Sequence, residues 1–284
     1  MHLYRNFIKT LQKILVRLLV ILIAIQVAGY IALQFPATQT LIIKEIVKVA
    51  SKQINGKIDI GKVYFIFFNK IILQDVSITS TEKSAYLDSL KHNFNHNDTL
   101  VHCGKLSVSL KSTDLMQLKV KLNRIYIENG LFNLQNEGGP GKTNLARIFK
   151  IDPDRERDTS KRGLPINLLA NSLKIKNFRF ILNNPDKFVS KGDSIINFAN
   201  LNISGINVNI NNVKLERDTI FGRIQNISGT DKSGFALKQL SGNIEVSSTE
   251  ARINNLKLAD NYTTVNASYF SMKYSSPRDL SEFT

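Results

Sequence analysis

Beyond residue 56 the chain repeats one rhythm, an apolar residue followed by a polar one. KLSVSLK at 105–111 is its cleanest instance, with Leu106, Val108 and Leu110 on one side and Ser107 and Ser109 on the other. Side chains alternate across a strand, so this period predicts half-buried β-strands. It recurs in IDIGKVYFIF, NKIILQDVSITS, LKVKLNRIYIENG, NSLKIKNFRFIL, ANLNISGINVNI, NNVKLERD, SGNIEVSS and NNLKLADN. About a dozen short strands separated by Asn, Gly and Asp turns follow from this, the mark of an antiparallel all-β body. IILQDVSITS from Ile71, IYIENGLFNL from Ile125 and LKIKNFRFIL from Leu173 also share apolar-x-apolar-x-(Asn/Asp)-x-x-apolar. Such recurrence points to an extendable, repeat-built architecture.

The first 56 residues follow other periods. Leu18 to Ile43 contains no charge, and Leu18 to Leu33 is apolar except for Gln26 and Gly29. With Ile14 to Phe35 included, a helix rising ~1.5 Å per residue covers a hydrocarbon layer of ~30 Å. Arg5, Lys9, Lys13 and Arg17 precede it, with no acid before Glu45. That bias sets an uncleaved signal anchor with its N-terminus in the cytoplasm. A cleaved signal peptide is the weaker reading, because the run is long and no Ala-x-Ala site follows. After Pro36, Ile42, Ile46, Val49, Ala50 and Gln53 fall at helical spacing. Thr38 or Thr40 can cap this helix over 41–54, and Gly56 can stop it. Lys44, Lys48 and Lys52 line another side, so the helix either lies on anionic lipid or plugs the end of the β body. The expected organisation is a basic tail at 1–17, an anchor at 18–35, an amphipathic helix at 36–56 and a β body at 57–284.

The β body poses a physical problem. Its strands offer an apolar face, yet only 41–54 and 144–150 read as helices that could cover it. Either the sheet closes on itself as a sandwich or barrel, or it curls into an elongated trough whose inner face receives apolar ligand. The residues expected on that face are Ile71, Leu73, Leu106, Val108, Leu110, Ile125, Ile127, Phe178 and Phe180.

Charge and chemistry refine the picture. A net charge of +15 favours acidic partners, lipid headgroups among them. DPDRERDTSKRG at 152–163 carries eight charges in twelve residues and reads as a solvated loop. The single Cys103 excludes an intramolecular disulfide. Gly141, Lys142 and Thr143 end like a phosphate-binding loop, but Asn136 stands where the first glycine belongs and Pro140 removes an N–H. That stretch reads instead as a hairpin end and a short helix capped by Thr143 or Asn144. His92, His96, His102 and Cys103 resemble a zinc spacing, but no second cysteine supports it. No nucleophile elbow, triad or carboxylate pair can be placed, and no nucleic-acid motif accompanies the charge. No metal, cofactor or catalytic residue is assigned. Asn-x-Ser/Thr triplets begin at Asn97, Asn202, Asn226, Asn261 and Asn266, and are weak signals in so Asn-rich a chain.

The order of the parts carries a resemblance. A basic start, one span and an amphipathic helix precede INGKIDIGKVYFIFFNKIILQDVSI, then DTLVHCGKLSVSL, VKLNRIYIENGLFNL and GKTNLARIF. This resembles the N-terminal part of the AsmA-like/TamB superfamily, especially TamB-like proteins of Bacteroidetes-type bacteria, over most of residues 1–185. The resemblance implies an inner-membrane protein with a periplasmic β-trough, engaged in outer-membrane protein assembly or in lipid movement between membranes. It implies phospholipid or other acyl-chain cargo and an Omp85-type outer-membrane partner, and no catalytic residues. Members are usually far longer, so either the chain is a fragment or the family function is not complete in it. The competing expectation is a membrane-tethered closed β-sandwich that acts as a structural module.

Overall fold

The computed structural model describes residues 35–66, 69–82, 84, 99–110, 122–139, 141–151, 168–185, 196–216 and 218–274. The expected anchor, with Arg5, Lys9, Lys13 and Arg17, lies outside the described residues, as do His92, His96 and the charged 152–163 stretch. Among the described residues no helix is long and apolar enough to cross a membrane.

Among the described residues ten strands form one sheet in sequence order and it does not close. They are β1 (Gly56–Ile66), β2 (Lys70–Ser80), β3 (Thr99–Leu110), β4 (Leu122–Gln135), β5 (Leu168–Asn183), β6 (Asn202–Glu216), β7 (Thr219–Asp231), β8 (Ala236–Val246), β9 (Glu250–Ala259) and β10 (Thr264–Lys273). No second sheet stands among the described residues to make a sandwich, so the closed-sandwich expectation is not met. Strands are also longer than the short segments expected, because β6 joins ANLNISGINVNI and NNVKLERD into one, and β7 arises from a stretch that the alternation did not single out. The antiparallel expectation fails at one pair, since β4 and β5 run parallel. A parallel pair needs a crossover, and part of that crossover is the helix α2 (Asn144–Ile148).

The Asn and Asp of the sequence repeat have a conformational purpose. Asp75, Asn129 and Asn177 all adopt left-handed φ of 52–54°, a region these residues tolerate best after glycine. They lie on a line across neighbouring strands. Gly61 faces Asp75, Gly104 faces Asn129, and Asn177 Nδ2 donates to Asn129 Oδ1 at 2.8 Å. Each interruption resets the two-residue alternation. On β4 the apolar positions are Ile125 and Ile127 before it, Gly130 and Phe132 after it. On β5 they are Leu173 and Ile175, then Phe178 and Phe180. The αL side chains are exposed, and the apolar residues on either side keep to one face. Asn212 and Asn255 repeat the device in β6 and β9.

The free edge of β1 is covered by α1 (Pro36–Ser51). The helix starts earlier than its spacing suggested, with Phe35 at the N-cap, Pro36 in its first turn and no side-chain cap from Thr38 or Thr40. Gly56 begins β1 rather than ending the helix. Gln39 Oε1 accepts from Phe65 N at 2.7 Å, Thr40 Oγ1 from Val63 N at 3.2 Å and Ser51 Oγ from Ile58 N at 3.1 Å. Unpaired strand edges invite association, and these three acceptors occupy this one. Beneath the helix Val63 is fully buried.

The turn between β7 and β8 gives the fold an acid-sensitive point. Burial works to raise the Asp231 carboxyl, but hydrogen bonds from the backbone of Ser233, Asn202 and Lys232 hold it below the usual carboxylate range. The folded value is lowered, so its stabilisation is complete above the unfolded value near ~3.9 and is lost as pH falls through the folded one. Asp231→Asn is therefore expected to flatten the acid limb of stability below about pH 4. Urea midpoints measured across pH check this.

Candidate apolar face

Residues in register on neighbouring strands share a face, and following the register across the sheet builds the site. Val63, Leu73, Leu106, Ile127, Ile175, Val208, Ile227, Leu240, Leu258 and Val265 form one unbroken row through all ten strands. With ~4.8 Å between strands, nine intervals make this row about 43 Å long. A second row holds Phe65, Ile71, Val108, Ile125, Leu173, Ile210 and Ile224. Past the left-handed line come Ile60, Val76, Cys103, Gly130, Phe178 and Ile206, then Ile58, Ile78, Val101, Phe132, Phe180 and Ile203. Phe132 and Phe180 stack with centroids 6.0 Å apart. Leu110 extends the other margin beside Leu122 and Ala170.

All nine residues expected on the apolar face from sequence therefore lie on one face of one sheet. Each is half-buried rather than buried. The rows contributed by β6 to β10 were not singled out from sequence, although ANLNISGINVNI and NNLKLADN carry the same alternation. Their left-handed breaks at Asn212 and Asn255 put the alternation out of step and hid the alignment.

The opposite face is polar. Lys62, Gln74, Lys105, Glu128 and Lys176 form one register row. Lys70, Ser109, Arg124, Ser172, Asn211, Arg223, Asn243 and Asn254 form another. Lys105 Nζ sits 5.8 Å from the Tyr126 ring centroid, and Lys176 pairs with Glu128 at 3.6 Å. The sheet is amphipathic, and its basic residues are spread over the wet side.

Gly130 is a tight point of the apolar face. A Cβ there would meet Phe178 Cδ2 at 2.2 Å, so the ring covers the glycine across the strand pair. Gly130→Ala must displace it, at a cost of about 1–3 kcal/mol from overpacking. Phe178→Ala is expected to remove most of that cost, which a double-mutant cycle of urea titrations measures.

The glycine-rich turn before α2 is structural. Gly138, Gly139 and Gly141 all take positive φ, and Asn136 and Thr143 close the turn in an isolated antiparallel bridge. It is not the end of a β4–β5 hairpin, because β5 returns parallel to β4. Thr143 is the N-cap, its Oγ1 accepting from Ala146 N at 3.1 Å. Buried Asn144 donates to Asn133 O and accepts from Gln135 N, which fixes α2 on the end of β4. Ile148 is fully buried against Gly56, and its carbonyl accepts from Asn55 N at 2.8 Å. Arg147 forks onto Glu137 with Nη2–Oε1 at 2.8 Å and also donates to Ser80 Oγ and Glu82 O. The short helix thus ties the ends of β1, β2 and β4 together where β3 begins.

His102 and Cys103 are successive strand residues, the first exposed and the second buried, so the zinc spacing does not converge in its described half. Burial pushes the Cys103 thiol up, away from thiolate chemistry. Among the described residues no three His, Cys, Asp or Glu side chains gather as metal ligands. No protein-family model matches the chain, and no curated protein matches it.

Proposed function

We propose that the apolar face is the wall of an elongated, curled trough that holds acyl chains while their headgroups stay in water. The ten-residue aliphatic row on an open sheet supports this reading most directly. On β4 the band from Ile125 to Phe132 is about 23 Å wide at ~3.3 Å per residue. That exceeds the ~15 Å depth of one leaflet, half of a ~30 Å hydrocarbon core. Length times width gives a projected footprint on the order of 1,000 Å². Ile60, Val63, Cys103 and Ile224 within it are buried and most of the rest is half-buried, which still leaves a contiguous apolar surface of the kind that marks an interaction site. A face of this size needs a ligand or a partner, and its continuity across ten strands fits a chain-like apolar ligand better than a single pocket would.

In this reading the chain is a signal-anchored envelope protein. Residues 18–35 span the inner membrane, the N-terminus is cytoplasmic, and the β body is periplasmic. The protein contributes to outer-membrane biogenesis as part of a TamB-like module, through lipid transfer, outer-membrane protein assembly, or both, with an Omp85-type partner. It is a carrier rather than an enzyme, and no cofactor or nucleic acid enters the mechanism. Lipid extraction and mass spectrometry of the purified chain test the reading. Co-purifying phospholipid is expected, and protein that remains lipid-free when purified from membranes without delipidating detergent would overturn it.

A further inference from the structure

The side of α1 that does not touch the sheet has its own composition. Gln39, Thr40, Ile43, Val47 and Ser51 recur three or four apart and are turned toward β1, none of them exposed. The other side exposes Leu41 to 67% and Val49 to 61%, with Phe35 just ahead of the helix at 59%. Exposed Lys44 and Lys48 lie between these, exposed Lys52 caps the C-terminal end, and the one acid, Glu45, sits 3.8 Å from Lys48. Sequence adds a second observation, because the charge-free run from Leu18 leads into α1 without a linker.

We propose that α1 is a two-faced edge element whose outward side rests on an anionic lipid surface while its inward side seals β1. Large apolar residues interleaved with lysines suit the headgroup boundary, where the apolar groups enter the acyl margin and the ammonium groups meet lipid phosphate. Lys stems also snorkel, so charge and apolar area need not be segregated for such contact. The consequence deepens the trough reading and rests on it: the first strand is held at the membrane surface, so lipid enters the face at β1. Leu41, Val49 and the lysines make none of the edge hydrogen bonds, so changing them leaves those bonds in place, and reversing Lys44 removes only its charge attraction to exposed Asp59 on β1.

The test uses the full chain in vesicles, with Cys103→Ala removing the native thiol. An environment-sensitive fluorophore is placed at Leu41→Cys, Val49→Cys or, as reference, Asp218→Cys in an exposed turn. Doxyl-labelled phospholipid is the quencher. In phosphatidylcholine vesicles containing phosphatidylglycerol, positions 41 and 49 should blue-shift and quench, and position 218 should not. Combined Lys44→Glu, Lys48→Glu and Lys52→Glu should bring positions 41 and 49 down to the reference level. Quenching at 41 and 49 no greater than at 218 would overturn the proposal. Equal quenching in the charge-reversed chain, or in vesicles without phosphatidylglycerol, would also overturn it, since nearness to the anchor would then suffice. Co-purifying lipid is measured on the chain with its lysines intact: lipid present there without the quenching contrast at 41 and 49 means that α1 docking alone fails, and lipid absent there means that the trough fails.

Discussion

Val108→Asp is expected to leave the protein folded and to strip it of bound lipid. Val108 lies in the second apolar row between Ile71 and Ile125, and it is half-buried on an open sheet. In a sealed core an unpaired carboxylate costs several kcal/mol and would unfold a protein of ordinary stability. On an open wall the carboxylate reaches water, and the fold loses about 1–2 kcal/mol of cross-strand packing. An acyl chain laid along that wall, however, would have to desolvate the charge. The expected outcome is a native circular-dichroism spectrum with at least a tenfold loss of co-purifying lipid, since ~1.4 kcal/mol of lost affinity already gives tenfold. Phe178→Asp should behave alike, with the added loss of the ring over Gly130. Lys105→Asp, on the polar face of the same strand, should retain its lipid.

Arg147→Ala should produce the largest loss of stability, about 3–5 kcal/mol. Its partner Glu137 has a side chain only 8% exposed, and the guanidinium is its bidentate ion-pair partner. Removing one member of a buried pair strands the other, and that desolvated charge accounts for most of the penalty. The same substitution frees Ser80 Oγ and Glu82 O, which Arg147 joins to α2 from the far side of the β3 start. Glu137→Gln should recover part of the loss in the Arg147→Ala background by removing the stranded charge. Chemical denaturation of the two single variants and the double variant measures the coupling.

How much of this was legible in the sequence differs from element to element. The alternation in 105–111 identified β3 and its apolar side because nothing interrupts it. The Asp/Asn recurrence at 75, 129 and 177 was visible as a repeat. Its role was not, because a left-handed residue flips the alternation and spacing alone cannot say that both halves share a face. The β4–β5 parallel pairing was also hidden. It depends on how a crossover through α2 returns to the sheet, and short Asn-rich strands carry no signature of direction. Likewise, helical spacing in 41–54 predicted α1 but not its attachment, since Gln39, Thr40 and Ser51 act through acceptors that no hydrophobic pattern records. The expectation that 41–54 and 144–150 are too little helix to cover the apolar face had the greatest consequence, and it came from counting elements rather than from any motif.

Site-specific photo-crosslinking reads directly whether hydrocarbon occupies the apolar face in membranes. A benzophenone side chain would be placed at Ile127 or Leu240 on the central apolar row, and at Tyr126 or Lys105 on the polar face, in the full chain within native membranes. Lipid adducts at 127 and 240 and none at 126 or 105 are expected. Adducts to protein alone at 127 and 240, or lipid adducts equally frequent on both faces, would contradict that occupancy.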